Sequence, residues 1–324
     1  MKYQDPVYGE VVLDPVLLEL IESSPVKRLR NISQHGASIY NKYFNKRIVS
    51  RFEHSVGVAI LMKKLNRSIE EQISGLLHDV GHAVFSHVVD FVFTSKDQDY
   101  DKKHHQELII NSGIPKIISR YKIDISYILD DKNFPIMEKD LPDLCGDRAD
   151  YFLRDPFCSI KAEKAIKQMA IKKETLVFVD KKTARDFSED FAKVSGLFWR
   201  EDFHEYLYFT LAEIIKIAME EKILKYQDLY LTEPEVIKIL KNSKNKEISK
   251  LFDILENSHQ DKIEVSSEKI DQSYLIKSKA RIIDPLVYLK GELKRLSQID
   301  DDYRNLYQEK LTQWNKPRFI RLKN

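Results

Sequence analysis

Residues 75–83, Gly75-Leu-Leu-His78-Asp79-Val-Gly81-His82-Ala83, constrain this chain more than any other stretch. An apolar helical run that ends in an adjacent His-Asp pair leaves two ligand-type side chains at the edge of buried surface. Such groups need a partner for their charge, and a divalent cation accepts both nitrogen and oxygen donors. The neighbourhood supplies more of them, because seven of the nine histidines lie between His35 and His105.

Helix signals place those donors. Ser50-Arg51-Phe52-Glu53 has the spacing of a capping box and predicts a helix with His54 in its first turn and Val56, Ile60, Leu61 and Leu65 on its buried face. Ser68-Ile69-Glu70-Glu71 repeats the signal and predicts a second helix whose Ile73, Leu76 and Leu77 lead into His78. If the two pack antiparallel across a loop at Asn66, His54 joins His78 and Asp79. Asp147, opening a helix over 147–154, is then the candidate for a fourth ligand. Spacing alone leaves a second reading open, in which these histidines are solvated or satisfied within the core.

The rest of the chain predicts a mostly helical fold. Asp14-Pro15 is an N-cap followed by proline at the first helical position, and Pro25 opens another short helix. The basic run Lys27-Arg28-Leu29-Arg30 reads as a solvated helix face. Residues 5–9 read as a turn, 10–13 as an extended piece, 94–103 as a polar loop and 105–110 as another helix start. Beyond residue 160 the pattern mixes: 174–180 reads as a strand, and helices return over 184–224 and after Thr232-Glu233-Pro234-Glu235. Residues 263–265 and 274–283 read as strands, and the tail from 286 as helix. The expected organisation is a helical core over residues 1–159 with a smaller, mainly helical α+β part over 160–324 packed on it.

Composition excludes several classes. With 324 residues, only 9 Gly and 10 Pro, and a formal net charge of +2, the chain reads as a helix-rich soluble globular protein without a general nucleic-acid footprint. Cys145 and Cys158 fall in no paired ligand spacing, so neither a disulfide scaffold nor a cysteine metal site is expected. No secretion signal opens the sequence and no run approaches the roughly 18 apolar residues of a membrane span, so a cytoplasmic location is expected.

Three stretches taken in order resemble the HD-domain phosphohydrolases. They are Arg51-Phe-Glu-His54-Ser-Val-Gly57, then Gly75-Leu-Leu-His78-Asp79-Val-Gly81-His82-Ala-Val-Phe85-Ser86-His87, then Asp147-Arg148-Ala-Asp150-Tyr151-Phe-Leu-Arg154-Asp155. Within that superfamily they are similar to the deoxynucleoside triphosphate triphosphohydrolases, as are Asp5-Pro6-Val7-Tyr8-Gly9 and the segment from Arg28 through Gln34 and Gly36. The resemblance covers residues 1–156 and is carried afterwards only by Lys279-Ala-Arg281-Ile-Ile-Asp284-Pro285. It implies His54, His78, Asp79 and Asp147 as ligands of one divalent ion, which could be Mn, Fe, Ni, Zn or Mg. It implies that Asp79, His82 and His87 serve the chemistry at an α-phosphate, with His105 nearby. Arg51 and Arg148 would hold phosphate oxygens, Tyr151 and Asp155 would meet the sugar, and Gln34 and His35 would border the same edge. The implied reaction is attack of activated water on the α-phosphorus of a nucleoside triphosphate, preferably a deoxy form, releasing nucleoside and tripolyphosphate. The implied assembly is a homo-oligomer, a dimer or a tetramer.

The chain departs from that pattern at three places. Arg148 stands where the family often has lysine. His35 stands where leucine is common, and an imidazole there could hydrogen-bond a 2'-hydroxyl, which leaves sugar preference open. Gln106 replaces the glutamate that usually follows His105, removing a carboxylate that would raise the histidine's pKa. A nucleotide phosphomonoesterase or pyrophosphohydrolase with the same metal site, and a non-catalytic nucleotide-sensing oligomer, are the competing readings.

Overall fold

Ser50 begins the helix on which the fold is built. In the computed structural model, which describes residues 2–93, 100–276 and 280–323, the Ser50 hydroxyl accepts from the Glu53 N–H at 3.1 Å. The Glu53 carboxylate accepts in return from the Ser50 N–H at 3.1 Å. The helix this starts, Arg51–Lys64, is buried at every position except Glu53 and its last two residues. A helix withdrawn from solvent on all sides lies at the centre of a core.

Residues 65–68 turn the chain back, with Asn66 in the left-handed region at φ 56°, and the helix Ile69–Leu77 packs along the central one. So short a connection makes the two antiparallel neighbours. The second predicted capping box keeps its serine half, Ser68 accepting from the Glu71 N–H at 3.2 Å, while the Glu71 carboxylate turns to Arg67 Nε at 2.6 Å. The helix Gly146–Arg154 packs on the central helix beside Gly57. A Cβ at Gly57 would stand 1.8 Å from Arg154 Nη2 and 2.3 Å from Asp150 Oδ1. The approach of these two helices therefore requires glycine.

Residues 5–9 form the turn of an antiparallel hairpin between β1 (Lys2–Asp5) and β2 (Gly9–Val12). The Asp5 carboxylate builds that turn by accepting from the Val7 and Tyr8 N–H groups. Of the segment 94–103 expected as a loop, residues 94–99 lie outside the described residues, and the helix Tyr100–Ile110 begins ahead of the position expected for it.

The second half carries the helices Lys181–Val194 and Asp202–Glu220, joined through a π-turn at Ser195–Trp199, and then Glu233–Asn242 and Lys246–Asn257. Its four-stranded sheet has the order β3 (Met169–Lys172), β4 (Thr175–Phe178), β7 (Leu286–Leu289), β8 (Glu292–Arg295). A three-stranded antiparallel sheet sets β9 (Arg318–Leu322) between β5 (Ile263–Ser266) and β6 (Tyr274–Ile276). The expectation of a helical tail from residue 286 is corrected here. Lys290 and Gly291 both have positive φ, 51° and 87°, the pairing that closes a two-residue hairpin, and Leu286 to Arg295 form its two strands. Helix resumes only at Leu296, with Asp301–Trp314 as its long segment.

The two halves share one apolar core, which runs from Tyr8 to Ile320. Phe152 of the first half meets Phe187 and Phe191 of the second at ring-centroid distances of 4.6 and 5.3 Å. Among the described residues no helix is long and apolar enough to cross a membrane.

Candidate metal centre

His54 sits in the first turn of the central helix, 1 % exposed. Its Nδ1 lies 2.8 Å from Asp150 Oδ2 and its Nε2 lies 2.9 Å from Asp147 Oδ1 and 3.2 Å from His78 Nε2. A carboxylate can only accept, so Nδ1 donates to Asp150 and orients the ring; Nε2, which faces both Asp147 and His78, carries a second proton that a bound metal would displace. The same logic holds for His78, at the C-terminal end of its helix. Its Nδ1 donates to the Gly75 carbonyl at 2.8 Å, which leaves Nε2 as an acceptor.

Asp79 completes the cluster. Its Oδ1 is 3.4 Å from His78 Nε2 and 3.1 Å from His82 Nε2, and its Oδ2 is 3.9 Å from His54 Nε2. One donor atom each from His54, His78 and Asp79 lies within 4.8 Å of the other two. Asp147 stands beside this trio, with Oδ1 also 3.5 Å from His78 Nε2. Two imidazole Nε2 atoms and two carboxylates converge here, held together by shared protons or by a cation in their place, and this mixed nitrogen and oxygen set suits a divalent metal. The donor chemistry therefore fits the ion that the sequence suggests. His78 and Asp147 are partly exposed, 22 % and 28 % at the side chain, whereas His54 and Asp79 are closed in. The cluster opens to solvent on the His78 and Asp147 side.

The electrostatics follow from the same distances. Burial alone would lower the His54 pKa, but the hydrogen bonds to Asp147 and Asp150 reverse this and raise it to about 9. Burial opposes ionisation of Asp79, yet Arg51 and the neighbouring histidines hold its carboxyl well below the usual range. Asp147 is likewise held low against its burial, by His54 and His78. His82 shifts down, by burial and then by the charge of Arg51.

Support for these donors comes from residues to which the sequence reading gave no role. Asp150 Oδ1 accepts from the Tyr8 hydroxyl at 2.6 Å and from Arg154 Nη2 at 3.0 Å, and Arg154 Nη1 reaches Asp5 Oδ2 at 3.2 Å. The N-terminal hairpin is thereby tied to the residue that orients His54. One signal was present: Asp147, Asp150 and Arg154 follow one another at i, i+3 and i+7, which puts them on one helix face. Arg28, read from sequence as part of a solvated face, is half-buried and donates to the carbonyls of Val80, His82 and Leu231, clamping the turn after Asp79.

Other candidate residues divide between the cluster and its surroundings. Arg51 donates through Nη1 to Asp79 Oδ2 at 2.7 Å and through Nε to Ser86 Oγ at 2.7 Å. His87 lies 5.7 Å from His82 between ring centroids, and its Nδ1 is 3.1 Å from Asp90 Oδ2. His105 is turned elsewhere, donating through Nε2 to the Leu77 carbonyl at 2.7 Å, behind the helix end that carries His78. Arg148 also points away from the cluster, since its guanidinium satisfies the carbonyls of Asp143 and Lys139 in the preceding connector. Tyr151 stacks edge-on to Trp199 at 5.2 Å and lies 6.5 Å from the His54 ring. Asp155 already accepts from the Phe157 N–H and from Trp199 Nε1, and burial pushes its pKa up to about 6. Gln34 donates its backbone N–H to Val49. His35 is packed between Phe44 and Phe198.

Comparison with known proteins fits this geometry. The HD domain profile matches residues 51–155, the span that begins at Arg51 and ends at Asp155. The protein YdhJ of Bacillus subtilis is 36 % identical over 313 residues, an alignment taking in 94 % of each chain. The chain belongs to the HD-domain phosphohydrolases. The metal-dependent phosphohydrolase cns2 of Cordyceps militaris is 28 % identical over 306 residues, 89 % of this chain and 85 % of that one. The deoxynucleoside triphosphate triphosphohydrolase SAMHD1 of Danio rerio is 35 % identical over 119 residues, which is 32 % of this chain and only 19 % of that protein. Among solved structures, a phosphohydrolase from Bacteroides thetaiotaomicron superposes with a TM-score of 0.72 over all of this chain and 99 % of that one, at 17 % identity, which speaks for the fold. As an HD-domain phosphohydrolase the chain takes a divalent metal ion, and His54, His78 and Asp79 form the cluster that fits it.

Proposed function

We propose that this phosphohydrolase cleaves nucleoside triphosphates, deoxy forms included, between the sugar oxygen and the α-phosphorus, releasing nucleoside and tripolyphosphate. The observation that carries the reading is the join between the donor cluster and Arg51, which shares Asp79 with it at 2.7 Å. Held by His54, His78, Asp79 and Asp147, a divalent ion would supply a Lewis acid toward a phosphoryl oxygen and a lowered pKa for water.

The chain's own groups do the rest. Arg51 Nη2 makes no hydrogen bond among the described residues, since Nη1 and Nε hold Asp79 and Ser86. That nitrogen is the donor for a phosphate oxygen, pre-aimed because its guanidinium is pinned on two sides. His82, held by Asp79, orients the phosphate, and His87, exposed and beside Asp90, delivers a proton to the leaving oxygen. Tyr151 packs its ring against the sugar face.

A second reading has its own support. YdhJ and cns2 align over nearly the whole chain, whereas the SAMHD1 alignment is partial. Hydrolysis of a nucleotide monoester with the same residues is the reading that follows if the partial likeness to SAMHD1 does not extend to the substrate. Product chromatography after incubation with dNTPs, NTPs and nucleoside monophosphates in the presence of Mn separates the two. Intact tripolyphosphate is expected from the first, and orthophosphate alone would replace it with the second.

A further inference from the structure

Glu233 lies far beyond the metal cluster in sequence, at the first turn of the helix Glu233–Asn242, yet it is 3 % exposed. Its Oε1 accepts from the Ser33 N–H at 2.8 Å and from the Phe85 N–H at 3.1 Å, and its Oε2 accepts from the Tyr40 hydroxyl at 2.7 Å. The two amides belong to the two loops that border the cluster. Ser33 precedes Gln34 and His35, and Phe85 precedes Ser86 and His87.

The Phe85 loop needs such a hold. Phe85 and Ser86 are consecutive non-glycine residues with φ of 62° and 53°. Side chains disfavour that region, and a pair of them there persists only where the surroundings fix it. The conformation brings Ser86 Oγ to Arg51 Nε at 2.7 Å and lets the same hydroxyl donate to the Ser33 carbonyl at 2.6 Å. Arg51 in turn donates to Asp79. A continuous path therefore runs from Glu233 through Phe85, Ser86 and Ser33 to the guanidinium beside the metal cluster. Tyr40 closes the arrangement, its ring edge-on to Phe85 at 5.8 Å. Burial pushes the Glu233 carboxyl up to about 7, and the hydrogen bonds from Tyr40, Ser33 and Phe85 act against that rise.

We infer that Glu233 is a positioning residue of the phosphate-binding edge, a carboxylate from the second half of the chain that aims Arg51 and the His87 loop by holding the Ser33 and Phe85 amides. The inference rests on the phosphohydrolase reading for its meaning, but the placement of Arg51 can be read without turnover.

The test uses the full chain loaded with Mn and four variants: Glu233→Leu, Glu233→Gln, Ser86→Ala and the Glu233→Leu/Ser86→Ala double. Calorimetry measures Mn uptake and the binding of inorganic tripolyphosphate, and kcat and KM are taken on the best substrate of the nucleotide panel. Glu233→Leu is expected to lower kcat and tripolyphosphate affinity by about 10- to 100-fold, the range for lost supporting groups, with Mn uptake unchanged. Glu233→Gln keeps an acceptor oxygen for both amides and should stay within about threefold of the parent. The double variant should be no worse than the poorer single one, because both act through Arg51. A folded Glu233→Leu protein with parental tripolyphosphate binding and kcat would overturn the inference, as would additive losses in the double variant. If Glu233→Leu does not fold, Glu233→Asp, whose carboxylate is one methylene too short to hold both amides, replaces it alone and in the double with Ser86→Ala, and the same outcomes decide. A parent protein that binds tripolyphosphate yet turns over no phosphate ester would defeat the functional reading and leave the positioning role to the binding data.

Discussion

His54 and His35 are both nearly closed to solvent, at 1 % and 6 % exposure, and they stand in opposite electrostatic regimes. His54 has a carboxylate on each ring nitrogen, Asp150 at 2.8 Å and Asp147 at 2.9 Å, and its pKa rises to about 9. His35 lies between Phe44 and Phe198 with its Nε2 unpartnered among the described residues, and burial, helped by Arg47, lowers its pKa to about 4. Nearby His204, hydrogen-bonded to Ser38, is lowered to about 4 in the same way. Burial by itself drives an imidazole to its neutral form. Carboxylates supplied by a facing helix are what convert a buried histidine into a place for a cation, and only the first region has them.

The largest effect that comparison predicts comes from emptying the first region of charge. Asp79→Ala removes a metal donor and the partner of Arg51, and turnover of the best substrate should fall by at least about a thousandfold in steady-state assays. EDTA treatment of the parent should match that loss, with activity restored by Mn. Gly57→Ala strikes the seam between the two helices that build the region. Its Cβ would stand 1.8 Å from Arg154 Nη2, so Arg154 must leave Asp150, and denaturant unfolding should show a loss of about 3 kcal/mol. Asp150→Asn weakens the hold on the His54 Nδ1 proton, along with the ion pair to Arg154. Mn affinity measured by calorimetry should weaken by about 10- to 100-fold, and the His54 pKa followed by NMR in the metal-free protein should fall.

The second region supplies the smallest effect and the opposite sign. His35 has a folded-state pKa below its unfolded value of 6.5, so the unfolded chain binds more protons between pH 6.5 and 4. Stability is therefore untouched above pH 6.5 and lost progressively as pH falls through that window. His35→Leu should remove about 1 kcal/mol of the decline between pH 7.5 and 5.5, seen as a flatter acid limb in thermal unfolding. An unchanged acid limb would mean that His35 is not held neutral by burial, and the contrast with His54 would lose its second term.

Local signals made much of this legible and long-range ones did not. Ser50 and Glu53 announce the central helix because a capping box is made by residues three apart, and Asp14-Pro15 and Thr232-Glu235 act likewise. The residue types of the cluster, His54, His78, Asp79 and Asp147, stood out because a buried His-Asp pair needs a counter-charge. Asp150 and Glu233 did not stand out, since each looks like an ordinary helix carboxylate until its partners arrive from 96 or 200 residues away. The β7–β8 hairpin was hidden for a related reason. Its charged residues face solvent and Val287 alone is buried, so neither strand shows a strong alternation, and β7 gains its place by pairing with β4 more than a hundred residues earlier.

The four-donor centre requires Asp147 to join His54, His78 and Asp79 around one ion. Titration of Mn into the metal-free parent and into Asp147→Ala, followed by calorimetry, addresses this directly. One site per chain is expected in the parent, with affinity reduced by at least about tenfold in the variant while its fold persists by circular dichroism. Equal stoichiometry and equal affinity in the two proteins would contradict the four-donor centre and the chemistry built upon it.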